Sequence, residues 1–116
     1  MKVGSIYRAG EKRPLAHRVW KTGSALEKMR GLLWRPELSA GEGMLLHNCG
    51  SVHTFGMGYP LDVVFLDKEG VILKMTRNLP PRRISGAWGA AMALELPADT
   101  AAKLELAVSE RLVWVE

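Results

Sequence analysis

The sequence predicts a small α+β domain, and three observations support that prediction. Residues 61–66 and 71–75 are apolar runs on either side of the turn-forming residues 67–70 (DKEG), a pattern typical of a β-hairpin. Residues 24–34 begin with a capping box and continue with apolar residues at helical spacing, which predicts one main amphipathic helix. The 116 residues, 47% of them hydrophobic, suffice for a single core, which we expect to occupy residues 15–116.

The first third of the chain is expected to contain a loose segment, a strand and the main helix. Residues 1–14 mix charges, glycine and proline without periodicity, so we expect a loose N-terminal segment. Alternation in LAHRVW (15–20) predicts a strand, although either of its faces can be the buried one. The helix starts at Ser24, Glu27 completes its capping box, and Pro36 prevents it from continuing much further.

The remaining elements follow from apolar runs and turn-forming residues. Residues 44–46 predict a short strand, and the long apolar runs of the hairpin predict strands that are buried on both faces. Two prolines at 80–81 exclude the interior of a strand there. Residues 88–96 fit a strand slightly better than a helix, because nearby glycines weaken a helix. Asp99 is expected to cap a short C-terminal helix, and residues 112–115 to form a last strand.

The composition limits the compartment and the class of protein. The single cysteine, Cys49, cannot form an internal disulfide, so we expect a reducing compartment and a cytoplasmic location. Charged residues interrupt the N-terminus, where we expect no signal peptide, and no apolar run is long enough to predict a membrane span. The glycine pairs do not form a dinucleotide or P-loop motif, and we expect no cofactor.

The positive charge is concentrated in the first third of the chain. Residues 1–35 carry nine Lys or Arg against two Glu, a net charge of +7, whereas residues 36–116 carry seven against ten, a net charge of −3. Such a skew attracts phosphate-rich partners, which makes weak nucleic-acid binding one hypothesis. The simpler interpretation is a solvated surface, because no aromatic residues are interleaved with these cations as stacking platforms.

A series of motifs resembles a known family when the motifs are taken in order. They are GLLWR (31–35), GMLL (43–46), HTFGM (53–57), PLDVVFLD (60–67) and LELPA (94–98). They make the chain similar, over about residues 15–115, to the family catalogued as domain of unknown function 192. The resemblance implies a compact α+β fold built around a small, bent, barrel-like and mostly antiparallel sheet. It implies no activity, because the function of that family is not established.

Residues near the middle of the chain suggest either catalysis or metal binding. Cys49 with His53 as its base and Asp62 orienting the imidazole would make a small hydrolase- or transferase-like enzyme. His47, Cys49 and His53 lie within seven residues and are weak candidate ligands for zinc or copper. The alternative is an inert cysteine in a packed or solvated cluster, since a fourth ligand and a catalytic signature are both missing.

Asp62 is the acid with the most unusual position, because it lies inside an apolar run where an unpaired carboxylate is costly. One interpretation is structural: the carboxylate accepts bonds from backbone N–H groups or from an arginine such as Arg35 and fixes the start of the strand. The other is functional, with Asp62 as an acid beside His53 in a binding or catalytic site.

The leading hypothesis is a small binding or accessory module that recognises an unidentified small molecule or protein. Its ligand-binding face would lie near His53, Asp62 and the loop that carries Arg82 and Arg83. Further residues that would line a cleft in this region are Phe55, Met57, Tyr59, Trp88, Met75 and Met92. Packing of these side chains in the core explains the same pattern without a ligand.

Overall fold

The computed structural model describes residues 1–22, 37–55 and 57–116, and this part of the chain is mainly β. It contains nine strands and one helix of four residues. The strands are β1 (Lys2–Arg8), β2 (Pro14–Lys21), β3 (Glu42–His47), β4 (Ser51–His53), β5 (Leu61–Leu66), β6 (Ile72–Leu79), β7 (Ile84–Gly86), β8 (Met92–Pro97) and β9 (Leu112–Val115). The helix, α1, spans Thr100–Lys103. No helix in the described residues is long and apolar enough to cross a membrane.

Seven of these strands form one curled sheet in the order β6-β5-β8-β3-β2-β1-β9, and β4 and β7 form a separate two-stranded sheet. Neighbours in the large sheet are antiparallel, except that β2 and β3 run parallel. A bridge between Val71 and Arg111 brings the segment before β6 against the segment before β9. The two ends of the sheet therefore approach each other, and the sheet curls around an interior.

Gly70, the last residue of the DKEG turn, allows this approach. Its φ is +88°, in the left-handed region that favours glycine, and its carbonyl oxygen accepts the N–H of Leu112 at 2.8 Å. A Cβ atom at this position would lie 2.2 Å from the carbonyl oxygen of Leu112, closer than any real contact. The turn of the hairpin is thus also the point where β9 is attached to the other end of the sheet.

Two hydrophobic clusters lie on opposite faces of the large sheet, because successive side chains of a strand point to opposite faces. The inner cluster draws on both ends of the sheet, from Ile6 and Leu112 to Ile72, and so fills the inside of the curl. The outer cluster includes Met44 and Val63 of the central strands together with Val52 of β4. The small β4–β7 sheet therefore helps to cover the outer face.

The expected α+β class is wrong, since strands dominate the described residues and α1 has a single turn. The main amphipathic helix expected over residues 24–34 lies outside the described residues. Residues 2–8, which were expected to be loose, form β1 instead. This strand pairs with β2 on one side and with β9 on the other. It forms because of backbone hydrogen bonds to these two strands, and not because of an apolar pattern in its own residues.

Most of the other strands lie where the sequence predicts them. The strands expected at 15–20, 44–46 and 112–115 correspond to β2, β3 and β9. The predicted hairpin is β5 and β6, and all six residues of β5 are buried, as expected for a strand covered on both faces. The strand expected over 88–96 occupies only Met92–Pro97, because Ala87 to Ala90 form a turn.

Candidate functional site

Asp62 is an anchor inside the fold. Its side chain is 0% exposed, its Oδ1 accepts the backbone N–H of Asn78 at 2.8 Å, and its Oδ2 accepts that of Ala101 at 2.8 Å. Ala101 lies in the first turn of α1, whose free N–H groups favour a carboxylate. Asp99 was expected to cap this helix, but it makes no capping bond and pairs with Asn78 instead. Asp62 thus caps α1 from a neighbouring strand.

This geometry matches the structural interpretation of Asp62, in which backbone N–H groups satisfy the carboxylate; the other donor considered, Arg35, lies outside the described residues. His53 is exposed on β4, and within the described part of the chain no hydrogen bond joins it to Asp62. Cys49 Sγ donates to the carbonyl oxygen of Ser51 at 2.9 Å. The residues that a catalytic Cys-His-Asp arrangement requires are therefore directed to different partners.

The weak candidate metal ligands are also dispersed. His47 is exposed at the end of β3, where its backbone N–H donates to Thr22 Oγ1 at 3.0 Å, and Cys49 is partly buried in the following turn. In residues 1–22, 37–55 and 57–116 no three His, Cys, Asp or Glu side chains come close enough to hold a metal ion.

Thr54 fastens the arginine loop to the end of β4. It is completely buried, and its Oγ1 donates to the carbonyl oxygen of Pro80 at 2.6 Å and accepts the N–H of Arg83 at 3.0 Å. Its backbone N–H and carbonyl oxygen bond Arg83 and Arg82 in the same loop. Arg82 has a φ of +64°, which costs free energy for a residue other than glycine and is maintained by these surrounding bonds. The backbone of two exposed arginines is thereby fixed next to β4.

Next to this loop lies an apolar surface that faces solvent, here called the exposed face: His53, Phe55 and Ile84. His53 and Ile84 are opposite each other in the β4–β7 ladder, and the rings of His53 and Phe55 are 5.8 Å apart. Ile84 is 70% exposed and Phe55 is 49% exposed. The other sides of the two strands face inward, since Val52 is buried and Ser85 Oγ bonds Thr76 Oγ1 at 2.7 Å. Core packing therefore does not explain Phe55.

Trp88 occupies the tip of the turn that follows β7 and is completely exposed. The N–H of Ala90 donates to the carbonyl oxygen of Ala87, which closes a β-turn over residues 87–90. Gly89, at the third position of this turn, has a φ of +79°, a left-handed conformation that favours glycine. A groove of about 640 Å³, the Trp88 groove, lies beside the indole and is lined by Leu73, Lys74, Gly86, Ala87, Trp88 and Gly89. Lys74 Nζ donates to the carbonyl oxygen of Gly86 at 2.8 Å and links β6 to β7 across it.

The chain segments that build these two surfaces carry charge of one sign. Residues 43–61 and 70–94 contain no Asp or Glu, while Lys74, Arg77, Arg82 and Arg83 are all exposed. The apolar cleft envisaged from the sequence is not a single space, because its members separate into three environments. Met57 and Tyr59 pack against the outer cluster, Met75 and Met92 pack against the inner cluster, and Phe55 and Trp88 face solvent.

Glu95 was not among the site residues predicted from the sequence, although its pKa departs furthest from the ordinary value among the acids of the described residues. Glu95 lies on β8 between Met44 and Val63, is 4% exposed, and burial raises its pKa to about 7. Tyr59 lies in the loop before β5, and its hydroxyl is buried without a hydrogen-bond partner in the described residues. The signal was present in the sequence, since Glu95 interrupts the apolar run MALEL (92–96) just as Asp62 interrupts LDVVFL.

The basic N-terminal third presents cations that already have aromatic neighbours. The guanidinium of Arg18 lies 5.1 Å from the ring centre of Trp20, and Lys21 Nζ lies 5.1 Å from that of Trp114. Contrary to the expectation from the sequence, aromatic side chains therefore do lie among these cations.

Two solved structures share this fold. A protein from Sinorhizobium meliloti 1021, described as a putative transcription regulator, has a TM-score of 0.80 and 22% identity, over 97% of this chain and 92% of that chain. A protein of unknown function from Novosphingobium aromaticivorans DSM 12444 has a TM-score of 0.76 and 21% identity, over 97% of this chain and 85% of that one. At such identities the likeness establishes the fold alone. No curated protein matches the chain.

A match to a family model confirms the resemblance to the domain of unknown function 192 that the sequence motifs indicate. The model described as DUF192, Uncharacterized ACR, matches residues 7–114, which include β2 to β8, the exposed face, the Trp88 groove and Glu95. The family has no established function. Because the match extends over nearly the whole chain, the protein belongs to the DUF192 family.

Proposed function

We propose that this protein is a small binding module that recognises an acidic, partly apolar segment of a partner protein. The binding surface consists of the exposed face and the Trp88 groove. The observation that carries the proposal is the complete exposure of Trp88 beside a groove whose described lining contains the cation Lys74 and no carboxylate. An isolated exposed aliphatic residue needs no explanation, whereas a completely exposed tryptophan held at a turn tip beside a groove is typical of a recognition surface.

The apolar part of the surface favours a polypeptide as the partner. Among the described residues, Ile84 is the second most exposed large apolar residue, and Leu73 and Ala87 line the groove. These aliphatic side chains pack well against the apolar side chains of a peptide, whereas single-stranded nucleic acids are held mainly by aromatic stacking platforms. Trp88 and Phe55 suit either kind of partner, so the aliphatic residues are what favours a peptide. Tryptophan and arginine are also the residues that most often dominate the binding energy of protein interfaces.

The charged part favours an acidic partner. Lys74 borders the groove, Arg82 and Arg83 border the exposed face, and the two stretches of chain that build both surfaces contain no carboxylate. A partner with Asp or Glu beside its apolar residues would meet complementary potential, which raises the association rate and disfavours basic competitors.

The surface is held in place before any partner arrives. Thr54 fixes the arginine loop, the Thr76–Ser85 bond and the Lys74–Gly86 bond attach β7 to β6, and Ile84 is paired within the β4–β7 ladder. A surface that is already ordered loses less conformational entropy on binding, so that more of the contact energy contributes to affinity.

A peptide-display selection tests the proposal directly. Random peptides are selected on the wild-type protein, and the binding of each enriched peptide is measured by fluorescence anisotropy. We expect enriched sequences that combine Asp or Glu with large apolar residues, and we expect Trp88→Ala to weaken them by about tenfold or more. Charge reversal by Arg82→Glu with Arg83→Glu should weaken the same peptides. Val3→Ala, at an exposed apolar residue of β1 that belongs to neither the exposed face nor the Trp88 groove, is the matched control and should leave binding unchanged.

Two results would contradict the proposal. In the first, the enriched peptides carry no acidic bias or bind Trp88→Ala as well as the wild type. In the second, a single-stranded oligonucleotide binds this surface more tightly than every selected peptide, with the steep salt dependence of phosphate contacts. The second result would make nucleic acid the partner, a class consistent with the description of the Sinorhizobium meliloti neighbour as a putative transcription regulator.

A further inference from the structure

The two edges of β7 differ in their hydrogen bonding. In an antiparallel pair, residues alternate between those whose N–H and C=O groups point to the partner strand and those whose groups point away. At one end of the β4–β7 pair, the N–H of Thr54 donates to the carbonyl oxygen of Arg83 at 2.9 Å. At the other end, the N–H of Ala87 donates to the carbonyl oxygen of Gly50 at 3.1 Å. The odd-numbered residues of this segment therefore direct their backbone groups to β4.

The even-numbered residues, Ile84 and Gly86, direct theirs to the opposite side of β7, here called the open edge. The carbonyl oxygen of Gly86 shows this direction, because it accepts a hydrogen bond from Lys74 Nζ of β6 at 2.8 Å. Outside the β4–β7 pair, no other hydrogen bond of the described residues involves the backbone groups of Ile84 or Gly86. Ile84 is also 70% exposed, so that water reaches it. The open edge thus offers two N–H groups and two carbonyl oxygens.

The Trp88 groove lies beside the open edge. Gly86 and the turn that follows β7 contribute to its lining, and Leu73 and Lys74 of β6 contribute the rest. In the described residues, side chains rather than backbone groups join β6 to β7, through the bond from Lys74 to Gly86 and the bond between Thr76 and Ser85. The volume of about 640 Å³ is in the range of known ligand sites. There is therefore space for a further segment of chain next to β7.

We propose that the partner peptide binds in an extended conformation and adds a strand to the open edge of β7. This inference rests on the proposed function and specifies how the acidic, partly apolar segment is bound. An added strand pairs with the backbone groups of Ile84 and Gly86, and these bonds supply affinity that is independent of the sequence of the peptide. The carbonyl oxygen of Gly86 has two lone pairs, so it accepts a peptide N–H beside its bond from Lys74.

Side chains give the added strand its specificity, because they alternate between two faces. Those on one face lie beside the side chain of Ile84 and extend the exposed face, whereas those on the other face lie toward the groove and Leu73. Lys74 borders the groove, and Arg82 and Arg83 directly precede β7, so acidic side chains are favoured along this edge. A second copy of β7 would bring the same cations, which disfavours self-pairing.

A scan of backbone N-methylation tests the binding mode, using a peptide that the display selection enriches. Each variant of the peptide carries one N-methyl group, which removes a single N–H donor and keeps every side chain. The unmodified peptide is the control. We expect affinity to fall by about tenfold or more at alternate residues of a short stretch, and by less than about twofold at the residues between them. A helical peptide would lose affinity at every residue of a continuous stretch.

Hydrogen exchange of the full-length protein provides a second readout. Binding of the unmodified peptide should slow the exchange of the Ile84 and Gly86 amides by about tenfold or more, because a partner strand covers them. The Ser85 amide already faces β4, so it is the internal control and should change less.

The outcomes separate this inference from the proposed function. The added strand is overturned if N-methylation has no alternating effect, or if the Ile84 and Gly86 amides exchange equally fast with and without the peptide. If Trp88→Ala still weakens the peptide in that case, the proposed function stands with a different binding mode. If no acidic, partly apolar peptide binds, both the function and the added strand are wrong.

Discussion

The carboxylate of Asp62 accepts a hydrogen bond from the N–H of Ala101, 39 residues later in the chain, at a distance of 2.8 Å. The other carboxylate oxygen accepts the N–H of Asn78, at the end of β6. One buried side chain therefore joins three segments: β5, the end of β6 and the first turn of α1. Cross-links of this kind matter most in a small domain, where few other contacts hold a single-turn helix to the sheet.

Asp62→Asn should destabilise the protein by about 1–3 kcal/mol, because an amide nitrogen would face a backbone N–H and leave that donor unsatisfied. Urea unfolding followed by circular dichroism measures the change. Glu69→Gln, at an exposed residue of the hairpin turn, is the control and should change the unfolding free energy by less than about 0.5 kcal/mol. Wild-type stability for Asp62→Asn would show that the carboxylate is not the anchor described above.

Glu95 should make the protein less stable as the pH rises. Its pKa is about 7 in the folded state against 4.5 in the unfolded chain, so between these values the unfolded state releases a proton that the folded state retains. The contribution is unfavourable above pH 7, where it reaches about 3 kcal/mol, and it disappears below about pH 4.5.

Glu95→Gln removes this penalty, and the comparison of the two proteins isolates it from every other titrating group. We expect the variant to be more stable than the wild type at pH 8 and about equally stable at pH 4. Urea unfolding at both values measures the difference. Parallel stability curves for the two proteins across this range would mean that Glu95 ionises normally in the folded state.

Thr54→Val should loosen the arginine loop while preserving the shape of the buried side chain. The variant loses the bonds that Oγ1 makes with Pro80 and Arg83, at a cost of about 1–3 kcal/mol. Hydrogen exchange of the Arg83 amide should accelerate relative to amides of β5. Thr76→Val, which loses only its partly buried bond to Ser85, provides a comparison and should leave the Arg83 amide protected. An unchanged exchange rate of the Arg83 amide in Thr54→Val would show that the side chain of Thr54 does not hold the arginine loop in place.

Gly70→Ala and Gly10→Ala form a matched pair that measures the closure of the sheet. Both glycines have left-handed backbone conformations, with φ of +88° and +82°, so each substitution incurs a strain of about 1 kcal/mol. Only Gly70 lies against another strand, since a Cβ atom there would meet the carbonyl of Leu112 at 2.2 Å, whereas nothing lies within 4 Å of one at Gly10. Thermal unfolding should show a much larger loss of stability for Gly70→Ala. Equal losses would mean that β9 is not held against the turn.

The candidate site could be predicted in part. The exposed face contains His53 and Phe55 and lies next to the arginine loop, and the hypothesis drawn from the sequence placed a ligand-binding face near His53 and this loop. Asp62 was included in that face because it is a carboxylate inside an apolar run, but it caps α1 and is buried away from solvent. The sequence marks a carboxylate in an apolar run as unusual, but it does not say which backbone groups will meet it. Glu95 is also a carboxylate inside an apolar run, but it was not predicted to be unusual.

The sequence by itself determined the strands whose patterns are local: the fully buried β5, the DKEG hairpin, and the short strands β3 and β9. It also determined the family, through motifs spaced along nearly the whole chain. The tertiary structure alone decided that residues 2–8 form a strand, that the sheet ends meet at Val71 and Arg111, and that Trp88 is left in solvent. Each of these depends on backbone pairing or turn geometry between segments far apart in sequence, and such contacts leave no periodic trace in the residues that make them.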